Sequence, residues 1–210
     1  MQKRIMFLGG TYFQIPPLKY AKEQGHYVIT CDYLPDNPGH GFADEYHNVN
    51  ATDNEAVLKL ATDLRVDAIV AYASDPCAPT AAYVAEKLGL PGNPYESVRV
   101  LQRKDLFRKF LAENGYNVPS ADVFSDVSKA SKFAEELLKN QSIIVKPSDS
   151  SGSKGVTKVE VVDLFCEAFE YAKQFSRNDL VVVEVYIEKD IYEMDGDGFV
   201  YGGDLVFTCF

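Results

Sequence analysis

The sequence predicts an α/β protein in two parts, a parallel βαβ layer over residues 1–93 followed by an α+β part over residues 94–210. Three observations carry this reading. Short apolar runs alternate with helical stretches through about residue 90, the pattern of parallel βαβ units in a doubly wound sheet. The turn-rich Gly89-Leu90-Pro91-Gly92-Asn93-Pro94 then closes that layer and marks the edge of a first domain. Beyond it the order of helices and strands changes, and the last segment has hairpin chemistry around Gly202-Gly203.

The elements follow in order. Ile5-Met6-Phe7-Leu8 ends in Gly9-Gly10, a buried strand opening into a loop. Pro16 and Pro17 suit a first helical turn, and Gly25 suits a C-cap after Gln24. Tyr27–Cys31 is a second β-rich run. Thr52 followed by Glu55 reads as a capping box, with Val57, Leu60, Ala61 and Leu64 at helical spacing behind it. Residues 68–71 form a third strand, and residues 80–88, closed by Gly89, another helix. In the second part the pattern predicts one long helix over 97–114, a strand at 121–124 and a helix at 128–138. Next come strand 142–146, a Ser/Gly loop, strand 157–161, helix 162–175, strand 180–185 and a hairpin of 198–201 with 205–210.

Composition excludes several classes. With 210 residues and 46% hydrophobic content, the chain can bury substantial cores. A net charge of −10 leaves no broad basic face for nucleic-acid phosphates or an anionic membrane, so neither is an expected partner. Cys31, Cys77, Cys166 and Cys209 lie far apart with no C-x-x-C pair, and read as small apolar residues of a reducing compartment. The opening apolar run is too short for a signal segment and no run approaches a membrane span, which makes the cytoplasm the expected location.

The stretch richest in chemistry is Ile143-Ile144-Val145-Lys146-Pro147-Ser148-Asp149-Ser150-Ser151-Gly152-Ser153-Lys154-Gly155-Val156. A strand delivers a lysine and is followed by small residues whose N–H groups can approach an anion closely, the chemistry of a phosphate loop. A Walker A loop would need G-x-x-x-x-G-K-[ST] leading into a helix, whereas Lys154 here leads into a strand. By itself the stretch reads equally well as a polar hairpin with one edge lysine. Upstream, Lys104 lies in Arg103-Lys104-Asp105-Leu106-Phe107-Arg108-Lys109-Phe110 on a helix stopped by Gly115; downstream, Val181-Val182-Val183-Glu184-Val185-Tyr186-Ile187-Glu188 is a buried strand ending in a carboxylate. Taken singly, Lys104 is a solvated helix lysine and Glu184 a strand-end carboxylate.

The order of these features, helix lysine, strand lysine with small-residue loop, helix, then apolar strand with terminal Glu, resembles the ATP-grasp superfamily. The preceding βαβ layer with Gly89-Leu90-Pro91-Gly92 is similar to the Rossmann-like pre-ATP-grasp domain of carbamoyl-phosphate-synthase-like and biotin-carboxylase-like members. The resemblance covers essentially the whole chain and implies a pre-ATP-grasp domain followed by a partial ATP-grasp domain. It implies that Lys104 and Lys146 contact ATP phosphates and that Ser150, Ser151, Gly152, Ser153, Lys154 and Gly155 form the loop that closes over them. It also implies that Glu184, the backbone of Val185 and Ile187 form the hinge that reads adenine. Several relatives carry a ribose-binding Glu about where Ile191 stands; Glu193, two residues on, is the nearest replacement.

Other motifs point nowhere else. Gly9-Gly10-Thr11 and Asp32 suggest a dinucleotide fingerprint, but G-x-G-x-x-G is absent. Asp195-Gly196-Asp197-Gly198 lacks the sixth-position Gly and twelfth-position Glu of a calcium loop and reads as a hairpin turn. His26, His40 and His47 have no metal-ligand spacing, and no G-x-S-x-G elbow appears.

The resemblance therefore implies the ATP-binding portion of an ATP-grasp ligase that joins a carboxylate to an amine or ammonia through an acyl phosphate. The alternative is a non-catalytic nucleotide-binding module or a split-enzyme subunit. ATP and Mg2+ are the implied cofactors, with the magnesium ligands expected on later strands outside this sequence; neither acceptor substrate can be named. Thr208-Cys209-Phe210 finishes inside an apolar strand, so the sequence leads to the expectation that the fold continues beyond it, and that this edge pairs with a second copy or a complementary chain.

Overall fold

The structure, a computed structural model, describes residues 1–192 and 194–209; Glu193 and Phe210 lie outside them. Strands β1 (Arg4–Leu8), β2 (Tyr27–Cys31), β3 (Glu45–His47) and β4 (Ala68–Val70) form a parallel sheet in the order β3-β2-β1-β4. Strands β1, β2 and β4 are nearly continuous apolar runs because both faces are covered. Met6, Leu8, Ile29 and Cys31 pack against Val57 and Ala61 of helix α2 (Asn54–Asp63) and Val84 and Ala85 of helix α3 (Ala78–Leu88). Phe7 and Val28 face the other way, onto Leu18 and Ala21 of helix α1 (Ile15–Glu23), whose first turn carries Pro16 and Pro17.

Two local expectations shift. The cap of α2 is Asp53 rather than Thr52: Asp53 Oδ1 accepts from the N–H groups of Glu55 and Ala56, both at 3.1 Å, while the Thr52 hydroxyl turns to Asn50 Oδ1 at 2.9 Å. Strand β3 was not expected at all. It is three residues of Glu-Tyr-His at the sheet edge, without an apolar run to announce it.

The predicted long helix is two, α4 (Tyr95–Gln102) and α5 (Lys104–Glu113), separated by Arg103 in extended conformation at φ −95° and ψ 112°. No glycine or proline marks the break. Its cause is tertiary: the Lys104 N–H donates to the Ser148 carbonyl at 2.9 Å instead of to the preceding turn, and Arg103 folds back onto Asp105.

The second sheet contains β5 (Ala121–Phe124), β6 (Ile143–Pro147), β7 (Thr157–Val159) and β8 (Val181–Val185), antiparallel in the order β5-β8-β6-β7. One face is covered by helices α6 (Val127–Leu138) and α7 (Phe165–Gln174), so that Ala130, Ala134, Phe165 and Phe169 meet Ile143, Val145, Val181 and Val183. Side chains alternate along a strand, which turns Ile144 and Lys146 of β6 and Val182 and Glu184 of β8 to the opposite face. Glu184 pairs with Ile144 across the sheet, making Lys146 its diagonal neighbour. That alternation positions the site. A separate hairpin, β9 (Asp197–Tyr201) with β10 (Asp204–Cys209), is exposed along its length and joined through Gly202-Gly203.

Phe169 is fully buried between α7 and the second sheet. Phe169→Ala should cost about 3–5 kcal/mol of unfolding free energy, the range for emptying an aromatic site in a core, as read from chemical denaturation.

Candidate functional site

A cleft of about 1130 Å³ opens between the two sheets. From the first part come Ala71, Asp75 and Ala78, at the carboxyl end of β4 and the start of α3, the side of a parallel sheet where ligands are usually taken. From the second part come Lys104, Ile144, Lys146, Ser150, Ser151, Gly152, Ser153 and Lys154, with Phe199 of the hairpin at the rim. The structure thus brings both lysines and most of the small-residue loop onto one cavity. Gly155 does not line it. It is buried against Phe175 and Pro147, where an added Cβ would stand 3.0 Å and 3.2 Å from their nearest atoms.

Lys104 opens α5 and is doubly tied to the loop. Besides its N–H on Ser148, its Nζ donates to the Ser150 carbonyl at 2.5 Å, and Gln102 Nε2 donates to the Asp149 carbonyl at 3.1 Å. Burial lowers the pKa of the Lys104 ammonium, and the charge of Lys146 lowers it further. The loop root is equally fixed: the Asp149 carboxylate, itself buried, accepts from the Arg177 N–H at 3.0 Å, and the Ser148 hydroxyl donates to Asn178 Oδ1 at 2.9 Å. At the tip, Gly152 and Ser153 both take left-handed backbone, φ 65° and 56°.

Glu184 is 5% exposed and holds two cations. Arg108 Nε donates to Oε2 at 2.9 Å and Arg108 Nη2 to Oε1 at 3.2 Å, a bidentate pair, while Lys146 Nζ donates to Oε1. Burial alone would raise the carboxyl pKa, but the hydrogen bonds from Arg108 and Lys146 outweigh it and hold the group below the usual glutamate range. The cleft lining excludes Glu184, Val185 and Ile187. The Val185 N–H donates to the Ser120 carbonyl at 2.9 Å within the sheet, whereas Ile187 lies past the strand, 67% exposed and without a hydrogen bond among the described residues. Ile191 is exposed, and Glu193 falls outside the described residues.

Arg108, Gln102 and Asp149 escaped the sequence reading. The spacing of Lys104 and Arg108, four apart on one helix face, was the available signal. Conversely, the glycines after β1 have a packing role: a Cβ on Gly10 would meet His40 Cε1 at 2.2 Å, and Asp32 is occupied by the Asn37 amide at 2.7 Å and the Leu34 N–H at 3.2 Å.

The relatives of this chain are ATP-grasp enzymes. The phosphoribosylamine–glycine ligase of Methanopyrus kandleri is 32% identical over 151 residues, 69% of this chain and 33% of that protein. An ATP-grasp enzyme of Aspergillus fumigatus is 29% identical over 143 residues, 68% of this chain and 23% of its own length. Among solved structures, N5-carboxyaminoimidazole synthetase from Staphylococcus aureus, complexed with ADP, matches at a TM-score of 0.68 and 20% identity, over 89% of this chain and 48% of that one. The chain therefore spans half or less of the length of these proteins. No family model matches the sequence.

The depressed Glu184 pKa has a defined sign. A carboxyl with a lower pKa folded than unfolded adds stability above its unfolded value, about 4.3, and loses it as pH falls through the folded value. The unfolding free-energy difference between wild type and Glu184→Gln should be constant from pH 6 to 8 and shrink as pH drops below about 4.3, as followed by denaturant titration at each pH.

Proposed function

We propose that the cleft binds ATP and that this chain carries the nucleotide-binding part of an ATP-grasp ligase joining a carboxylate to an amine or ammonia through an acyl phosphate. One observation carries the reading: Lys104 and Lys146, from different elements, converge with the Ser150–Lys154 loop residues on a single cavity. Its volume, about 1130 Å³, is slightly larger than the roughly 300–1,000 Å³ of most small-ligand pockets. The ADP bound by the Staphylococcus aureus synthetase of the same fold supports it.

In this reading residues 1–93 form one wall of the cleft and residues 94–210 the other. The two ammonium groups and the N–H groups of the loop meet the phosphate oxygens. As a carboxylate oxygen attacks the γ-phosphorus and the bond to ADP breaks, the lysines stabilise the charge gathering on the transferred group and the departing ADP. The amine nitrogen then attacks the acyl carbon, phosphate leaves with the bonding pair, and the nitrogen gives up a proton. For the adenine edge this reading takes the Ile187 N–H, which has no hydrogen bond among the described residues, and the Val185 carbonyl, both at or just past the end of β8 and outside the cleft lining. Among the described residues no group of three or more His, Cys, Asp or Glu could hold a metal ion; in this reading magnesium arrives on the phosphate oxygens.

Lys146→Ala should weaken ADP binding by about 1.5–3 kcal/mol, the range for a hydrogen bond to a charged group. Lys109→Ala should change it little, since Lys109 is exposed and among the described residues paired only with Glu113, at 3.7 Å. Equal losses in calorimetry would point to general electrostatics instead of a site. Saturating ADP should also protect the tip around Gly152 and Ser153 from proteolysis, because phosphates give its N–H groups partners; an unchanged cleavage pattern would remove the loop from the assignment.

A further inference from the structure

Lys146 faces two anions in the nucleotide reading, Glu184 and a phosphate. Its ammonium lies on the Glu184 carboxylate, and Lys146 lines the cleft whereas Glu184 does not, so a phosphate there competes with Glu184 for the one positive charge, and drawing the ammonium toward it moves it off its partner. A carboxylate this deeply buried, left without a counter-ion, would oppose that movement strongly. Arg108 removes the opposition. It already holds Glu184 through two hydrogen bonds, and no other acidic partner engages it among the described residues. Lys104 does not hold Glu184: among the described residues no ion pair joins the two, and the Lys104 Nζ donates to the Ser150 carbonyl.

We propose that Arg108 is a positioning residue for nucleotide binding: it keeps Glu184 paired while Lys146 exchanges that carboxylate for a phosphate of a nucleoside di- or triphosphate. The proposal rests on the nucleotide reading above. The exchange is electrostatically balanced, since Glu184 retains one cation and the incoming anion acquires the other. It differs from a purely architectural role, in which Arg108 would only fasten α5 to the sheet. An architectural role would support every ligand of the cleft alike, whereas partner exchange matters only for ligands that bear phosphate.

Calorimetric titration of the chain with ADP and with adenosine separates the two. Arg108→Met should lower ADP affinity by roughly ten-fold or more, because Lys146 must now abandon a carboxylate that has no other cation, while adenosine affinity stays within about two-fold. Combining it with Glu184→Gln removes the charge that needs holding, so the double variant should bind ADP within about two-fold of Glu184→Gln alone. That comparison also stands if Arg108→Met alone does not fold. Wild-type ADP affinity in Arg108→Met, equal losses of ADP and adenosine, or a double variant ten-fold weaker than Glu184→Gln would each overturn the exchange. Failure of the wild-type chain to bind ADP at all would overturn the nucleotide reading and this one with it.

Discussion

A buried negative charge on the middle of a sheet is a demanding thing to build, and Glu184 makes the demand that organises the second half of the molecule. The carboxylate needs cations from more than one direction, and β6 supplies one of them because register places Lys146 diagonally across from it. The other must come from outside the sheet, so α5 has to dock with Arg108 against the strand. Once that face of α5 is fixed, helical periodicity puts Lys104 one turn earlier, beside the loop, and the chain can reach that position only by leaving helical conformation at Arg103. The break between α4 and α5 thus falls where the Ser148 carbonyl takes the first N–H of a helix whose next turn is held on Glu184.

Much of this was legible in the sequence, and the boundary between legible and illegible has a physical origin. Apolar runs and helical periodicity identified β1, β2, β6 and β8 and most helices, since those signals are local. The break at Arg103, the strand β3 and the shift of the α2 cap from Thr52 to Asp53 were missed for the opposite reason: a hydrogen bond to Ser148, pairing at a polar edge and a competing contact with Asn50 are set by partners that a local pattern does not contain. At the site, Lys104, Lys146 and the small-residue loop could be picked out because their residue types suit an anion. Arg108 could not, because its work is done on another side chain rather than on a ligand.

The first sheet contributes by shape. Its charged loop residue Asp32 is satisfied internally, by Asn37 and the Leu34 N–H, and the His40 ring fills the space beside Gly10, so the glycine-rich turn after β1 is already occupied by protein. What this layer offers the cleft comes instead from β4 and α3, through Ala71, Ala78 and the carboxylate of Asp75. Small side chains at that wall leave room, and the acidic one adds to a chain whose net charge is −10. The positive potential of the cleft is correspondingly local, confined to the wall that α5 and β6 build, and long-range attraction of an anion by the whole molecule is not available to it.

The seating of the small-residue loop carries a mechanical corollary. Its incoming end is clamped at Ser148 and Asp149 by contacts to α5, Arg177 and Asn178, and its outgoing end by the close fit of Gly155 between Phe175 and Pro147. A segment pinned at both posts has only its span to move, and since the Ser150 carbonyl is also held by Lys104 Nζ, any flexing is confined to the four residues Ser151–Lys154. Such a flap stores little elastic energy and needs no slack elsewhere in the fold.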